Sequence, residues 1–128
     1  MELLCELSEF AYETKCFKYW KNEEQSSSNV TMAEFADCMM IVLCFCDLAN
    51  IEDLELRVED IDECDIVKLF IKTNKIASSL TVKLEKENLL EILSYLIRII
   101  KLLDYSDEEI SFYCTKKMNE TLKMISGK

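Results

Sequence analysis

The 128-residue chain has no proline, no histidine and a single glycine, Gly127. Proline and glycine punctuate sheets and tight hairpins, so their scarcity excludes a β-barrel or sandwich. A glycine-rich phosphate loop cannot be written with this inventory. Without histidine there is no Ser-His or Cys-His catalysis, no histidine zinc site and no histidine pH switch. Basic residues are few: 15 Lys and Arg stand against 25 Asp and Glu, a net charge of −10. Such a surface repels nucleic-acid phosphate and anionic lipid and suits divalent cations, so neither nucleic acid nor membrane is expected as a partner. Long apolar runs are also missing. The longest, Cys38 to Cys46, falls well short of the roughly twenty residues a membrane span needs. The N-terminus carries Glu2 and Glu6 in place of a basic leader segment, and a cytoplasmic protein is expected. None of the seven cysteines forms a C-x-x-C pair. Most lie in apolar helical runs, which points to free thiols in a reducing compartment.

What is present is helical. Apolar residues make up 50% and charged residues 31%, enough for one globular domain over residues 1–128. Leu3, Leu7, Phe10, Phe17 and Trp20 keep near-helical spacing over residues 3–20. A polar loop follows at 22–29. Thr31-x-x-Glu34 has the form of a capping box opening a second helix to about Leu48, apolar all round from Met39 to Cys46 and so expected to be buried on every side. A third helix fits from about Ile61 to Ser79 and a fourth from Lys86 to Leu103. Ser106-x-x-Glu109, a second capping box, opens a fifth that ends near Ser126. Together these predict an all-α, antiparallel bundle of about five helices. The two halves, 1–51 and 62–126, suggest a faint repeat at an offset of about 55. That offset sets Glu6, Glu9, Glu34 and Asp37 against Ile61, Cys64, Leu89 and Ile92 and leaves acids in the first half alone.

Two acidic groups stand out. Glu6, Glu9 and Glu13 stack on one face of the first helix, and Glu34 and Asp37 stand one turn apart on the second. If these helices pack side by side, carboxylates converge with no histidine among them. An all-oxygen set suits a hard cation such as Mg2+, with Mn2+ as an alternative, bridging carboxylates to substrate phosphates. A solvated acidic face would have the same spacing, and Glu34 could serve only as the partner of Thr31. Asp37, however, lies directly against the apolar run Cys38–Ile41, where a carboxylate needs a partner or a metal. Between the acidic groups, Phe17-Lys18-Tyr19-Trp20-Lys21 sets two lysines around aromatics. Such a segment can meet a nucleotide, cations on phosphate and rings on sugar or base. It can equally be a helix end with its lysines on the C-terminal dipole. Lys116 and Lys117 on the last helix are either solvated or within reach of a phosphate.

The string Glu6-Leu7-Ser8-Glu9-Phe10-Ala11-Tyr12-Glu13, then Phe17-Lys18-Tyr19-Trp20-Lys21, then Glu34-Phe35-Ala36-Asp37, resembles the all-α dimeric dUTPase family of the MazG-like pyrophosphohydrolases. The resemblance implies Mg2+-dependent hydrolysis of dUTP to dUMP and pyrophosphate. It implies Glu6, Glu9, Glu34 and Asp37 as metal ligands, Glu9 as the residue that orients or deprotonates the attacking water, and Lys18 and Trp20 as nucleotide contacts. Lys21 is a further candidate contact. The family's C-terminal pattern Y-x-x-K-N-x-x-N is met at Tyr113 and Lys116. It departs at Lys117 and Glu120, with Asn119 one residue away. Lys116 and Asn119 complete the candidate substrate contacts.

Two functions of different class follow. One is a nucleoside triphosphate pyrophosphohydrolase. The other is a non-catalytic, shortened relative that acts as a helical dimerisation or protein-binding module. The apolar second and fourth helices predict a homodimer in either case.

Overall fold

The structure, a computed structural model, describes residues 2–14, 28–80 and 84–126. Five apolar stripes at helical spacing become five helices: α1 (Glu2–Thr14), α2 (Ser28–Leu48), α3 (Ile66–Ser79), α4 (Lys86–Leu102) and α5 (Asp107–Ser126). A single 3-10 turn, Val58–Asp60, interrupts the connection between α2 and α3. No strand occurs among the described residues, in line with the scarcity of glycine and the lack of proline. The all-α bundle is therefore as expected.

α1, α3 and α4 each bury an apolar stripe, whereas α5 leaves Phe112, Leu122 and Met124 exposed. α1 turns Leu3, Leu7 and Phe10 inward, and α3 turns Leu69, Phe70, Thr73 and Ala77 inward. α4 turns Leu89, Ile92, Leu93, Leu96, Ile99 and Ile100 inward. α1 packs on α2 and α3, α3 on α4, and α2 lies between α1, α4 and α5. Phe10 sits where these surfaces meet, its ring centroid 5.8 Å from that of Phe35 and 5.2 Å from that of Phe70. Burial of this apolar surface, at roughly 25 cal/mol per Å2, is the main force holding the bundle.

Helix boundaries correct the sequence reading in three places. α2 begins at Ser28, so Thr31 is one turn inside it and fully buried instead of capping it. α3 begins at Ile66, later than Ile61, because Asp65 is the cap: its Oδ1 accepts from Val67 N at 3.0 Å. The residues before it run extended and are pinned by α4, where Arg98 Nε donates to the Glu63 carbonyl at 3.2 Å. Third, α2 is not enclosed on every side. Cys44 and Leu48 are exposed, because α1, α4 and α5 leave one strip of it uncovered. The second capping box forms as written: Ser106 N donates to Glu109 Oε1 at 2.9 Å and Glu109 N donates to Ser106 Oγ at 3.1 Å.

Between α2 and α4 the repeat is sharper than the sequence suggested, at an offset of 54. α2 and α4 end in the same turn. Ile51 N donates to the Cys46 carbonyl and Tyr105 N to that of Ile100, around left-handed Asn50 and Asp104 at φ 60° and 69°. The same offset sets buried Phe35, Cys38, Met39 and Val42 against buried Leu89, Ile92, Leu93 and Leu96. The counterparts of Glu34 and Asp37 thus become Asn88 and Glu91, not Leu89 and Ile92. In α3 the inward stripe matches that of α1 with Phe70 for Leu7, Thr73 for Phe10 and Ala77 for Thr14, which sets Leu69 against Glu6 and Lys72 against Glu9.

Candidate metal and nucleotide site

Packing α1 against α2 brings the two acidic groups together. Glu6, Glu34 and Asp37, all half-buried, each place a carboxylate oxygen within 4.8 Å of the others'. Glu9 is exposed at the rim and hydrogen-bonded to Glu34. So three of the four expected ligands converge directly, and the fourth stands beside them. The Glu34 side chain is drawn into the acid cluster.

Crowding and burial show in the protonation of the cluster. Burial, followed by the hydrogen bond and charge of Glu9 and the charges of Asp37 and Glu6, pushes Glu34 up to about 7. Glu6 is raised by burial first and then by Asp37, Glu9 and Glu2. Beneath them, Cys38 is buried, and burial together with the surrounding acids holds its thiol protonated. It is therefore no thiolate donor.

The partner that Asp37 needs comes from the far end of the chain. Lys117 Nζ on α5 lies 2.7 Å from Asp37 Oδ1. That hydrogen bond is the main cause of the raised Lys117 pKa. From sequence, Lys117 departs from the family pattern and is either solvated or within reach of a phosphate; the structure pairs it with Asp37. The signal that could have found it was the carboxylate at the edge of an apolar run, which demanded a cation.

The donor set fits a hard divalent cation. Glu6 Oε2 and Glu34 Oε2 are buried with no hydrogen-bond partner. Unanswered buried carboxylate oxygens are costly, and a bound cation removes that cost. Two small clefts flank the cluster. One, of about 260 Å3, is lined by Ser8, Glu9, Tyr12, Glu13 and Glu34. The other, of about 250 Å3, is lined by Asp37, Tyr113, Lys116 and Lys117 among others. Lys116 is exposed and borders both this cleft and the outer face of α5. Asn119 is exposed on that outer face, which it lines with Phe112, and does not line the Asp37 cleft. Lys18, Trp20 and Lys21 lie outside the described residues.

No helix among the described residues is long and apolar enough to cross a membrane. No curated protein and no solved structure matches the chain. A family profile described as dUTPase matches residues 1–123, nearly the whole chain and both halves of the repeat. With an all-α bundle and acids gathered between its first two helices, the chain belongs to the all-α dUTPase family.

Proposed function

We propose that the chain is a Mg2+-dependent pyrophosphohydrolase that converts dUTP to dUMP and pyrophosphate. The observation that supports this reading is the convergence of Glu6, Glu34 and Asp37, with two buried carboxylate oxygens unanswered, beside an exposed lysine. Glu6, Glu9, Glu34 and Asp37 would hold Mg2+, and Mn2+ suits the same oxygens. The ion would polarise phosphoryl oxygens and acidify a bound water. Glu9 is the one exposed acid of the four, so it is placed to accept the proton of the attacking water. The water oxygen bonds to one phosphorus of the α–β phosphoanhydride, and the bridging oxygen leaves with the electron pair on the other phosphate. Lys116, on the lip of the Asp37 cleft, meets the polyphosphate. Asn119, with Lys18, Trp20 and Lys21 from the first half, makes up the nucleotide contacts.

A second copy of the chain covers the open strip of α2 around Cys44 and Leu48. The free cytoplasmic nucleotide pool is the setting that this activity implies.

Pyrophosphate release with Mg2+ tests the reading, with dUTP compared against UTP and the four normal deoxynucleotides. Release from dUTP alone is expected. Release from another nucleotide would keep the chemistry and move the base specificity. A folded protein that releases none would return the chain to the non-catalytic dimerisation module.

A further inference from the structure

We propose that Lys117 itself fills one cation position of the acid cluster, so that the centre takes one divalent ion per chain instead of two. The inference rests on the Mg2+ centre proposed above. Lys117 Nζ stands 2.7 Å from Asp37 Oδ1. That bond takes one of the lone-pair directions of Asp37 that a divalent ion would otherwise use. Asp37 is thereby answered, while the oxygens left unanswered belong to Glu6 and Glu34. The cluster thus has two unlike sides. One holds a tethered ammonium, and the other presents bare oxygens to a cation from solution.

The ammonium is held by more than Asp37 alone. Glu6 and Glu120 also attract Lys117, so three acids hold it in place. Two-ion centres set their metals roughly 3.5–4 Å apart and share carboxylates between them. Here the three converging acids lie within 4.8 Å of one another, and one of them is already shared with nitrogen.

Titration of the full chain with Mn2+, following free Mn2+ by electron paramagnetic resonance, counts bound ions without reference to turnover. The wild type is expected to bind one ion per chain. Lys117→Asn, which keeps a polar group but removes the charge, should bind two. Lys117→Arg should stay at one. Two ions in the wild type or in Lys117→Arg overturn the proposal, and both readings stand even if Lys117→Asn fails to fold. Equal, non-zero counts in the wild type and a folded Lys117→Asn overturn it too, and leave the metal centre intact. No binding by either overturns the metal centre, and the proposal falls with it.

Discussion

Glu34 carries the charge problem of the cluster in one side chain. Its carboxyl is raised from the ordinary 4.5 to about 7 by burial first and then by its acidic neighbours. For a raised acid, the contribution to stability is complete below the unfolded pKa and is lost as pH climbs through the folded one. The metal-free chain should therefore lose thermal stability between about pH 5 and about pH 8, by roughly 5 °C for each ~1 kcal/mol lost. Glu6, raised in the same direction, adds to the loss. Melting curves in chelator should show the fall in the wild type and a shallower one in Glu34→Gln. A wild-type curve flat across that window would refute the account. Mg2+ added at the alkaline end should recover the melting temperature. Glu9 gives the matching prediction for activity: Glu9→Gln should cut turnover roughly 10²–10⁴-fold with an unchanged circular dichroism spectrum. The acids were legible in the sequence because helical spacing alone puts Glu6 with Glu9 and Glu34 with Asp37 on shared faces. Lys117 was not, since only the docking of α5 on α2 brings it to Asp37.

Identical patterns behave differently at the level of elements. Ser106-x-x-Glu109 and Thr31-x-x-Glu34 read alike, yet one caps a helix and the other does not. Glu109 has no stronger call on it than the backbone of Ser106, and both bonds form. Glu34 faces three other acids, and its helix starts a turn earlier. Local rules hold where nothing distant competes, and a charge cluster competes. Ser106→Ala should cost about 1 kcal/mol, read as a shift in the urea midpoint with no change in slope. Helical periodicity does not mark the turns that end α2 and α4. Their left-handed residues, Asn50 and Asp104, could not be read because neither is glycine, the usual occupant. A residue with a side chain costs roughly 1 kcal/mol in that conformation. Asp104→Gly should therefore raise stability by about 0.5–1 kcal/mol, and a drop in melting temperature would count against the turn as described.

Across the whole molecule the reading from sequence was right about helices and wrong about enclosure. α2 looked buried on every side because periodicity cannot distinguish a neighbour in the same chain from one in another. Cys44 and Leu48 remain exposed on it. Sedimentation should give a species near twice the 15.0 kDa chain, and Leu48→Glu should weaken it toward the single chain. A wild type that sediments as one chain at micromolar concentration would remove the dimer. The repeat has a consequence at this scale. α4 copies the apolar register of α2 at a fixed displacement, but where Glu34 stands it has Asn88, and Leu69 of α3 takes the place of Glu6. The second hairpin acts as a counterweight. It can be packed for strength alone, with Leu89, Ile92, Leu96 and Ile99 wholly enclosed, while the first tolerates repelling charges that a lone hairpin could not hold folded. Damage to the two hairpins should accordingly read out in different assays, the second in folding and the first in cation binding.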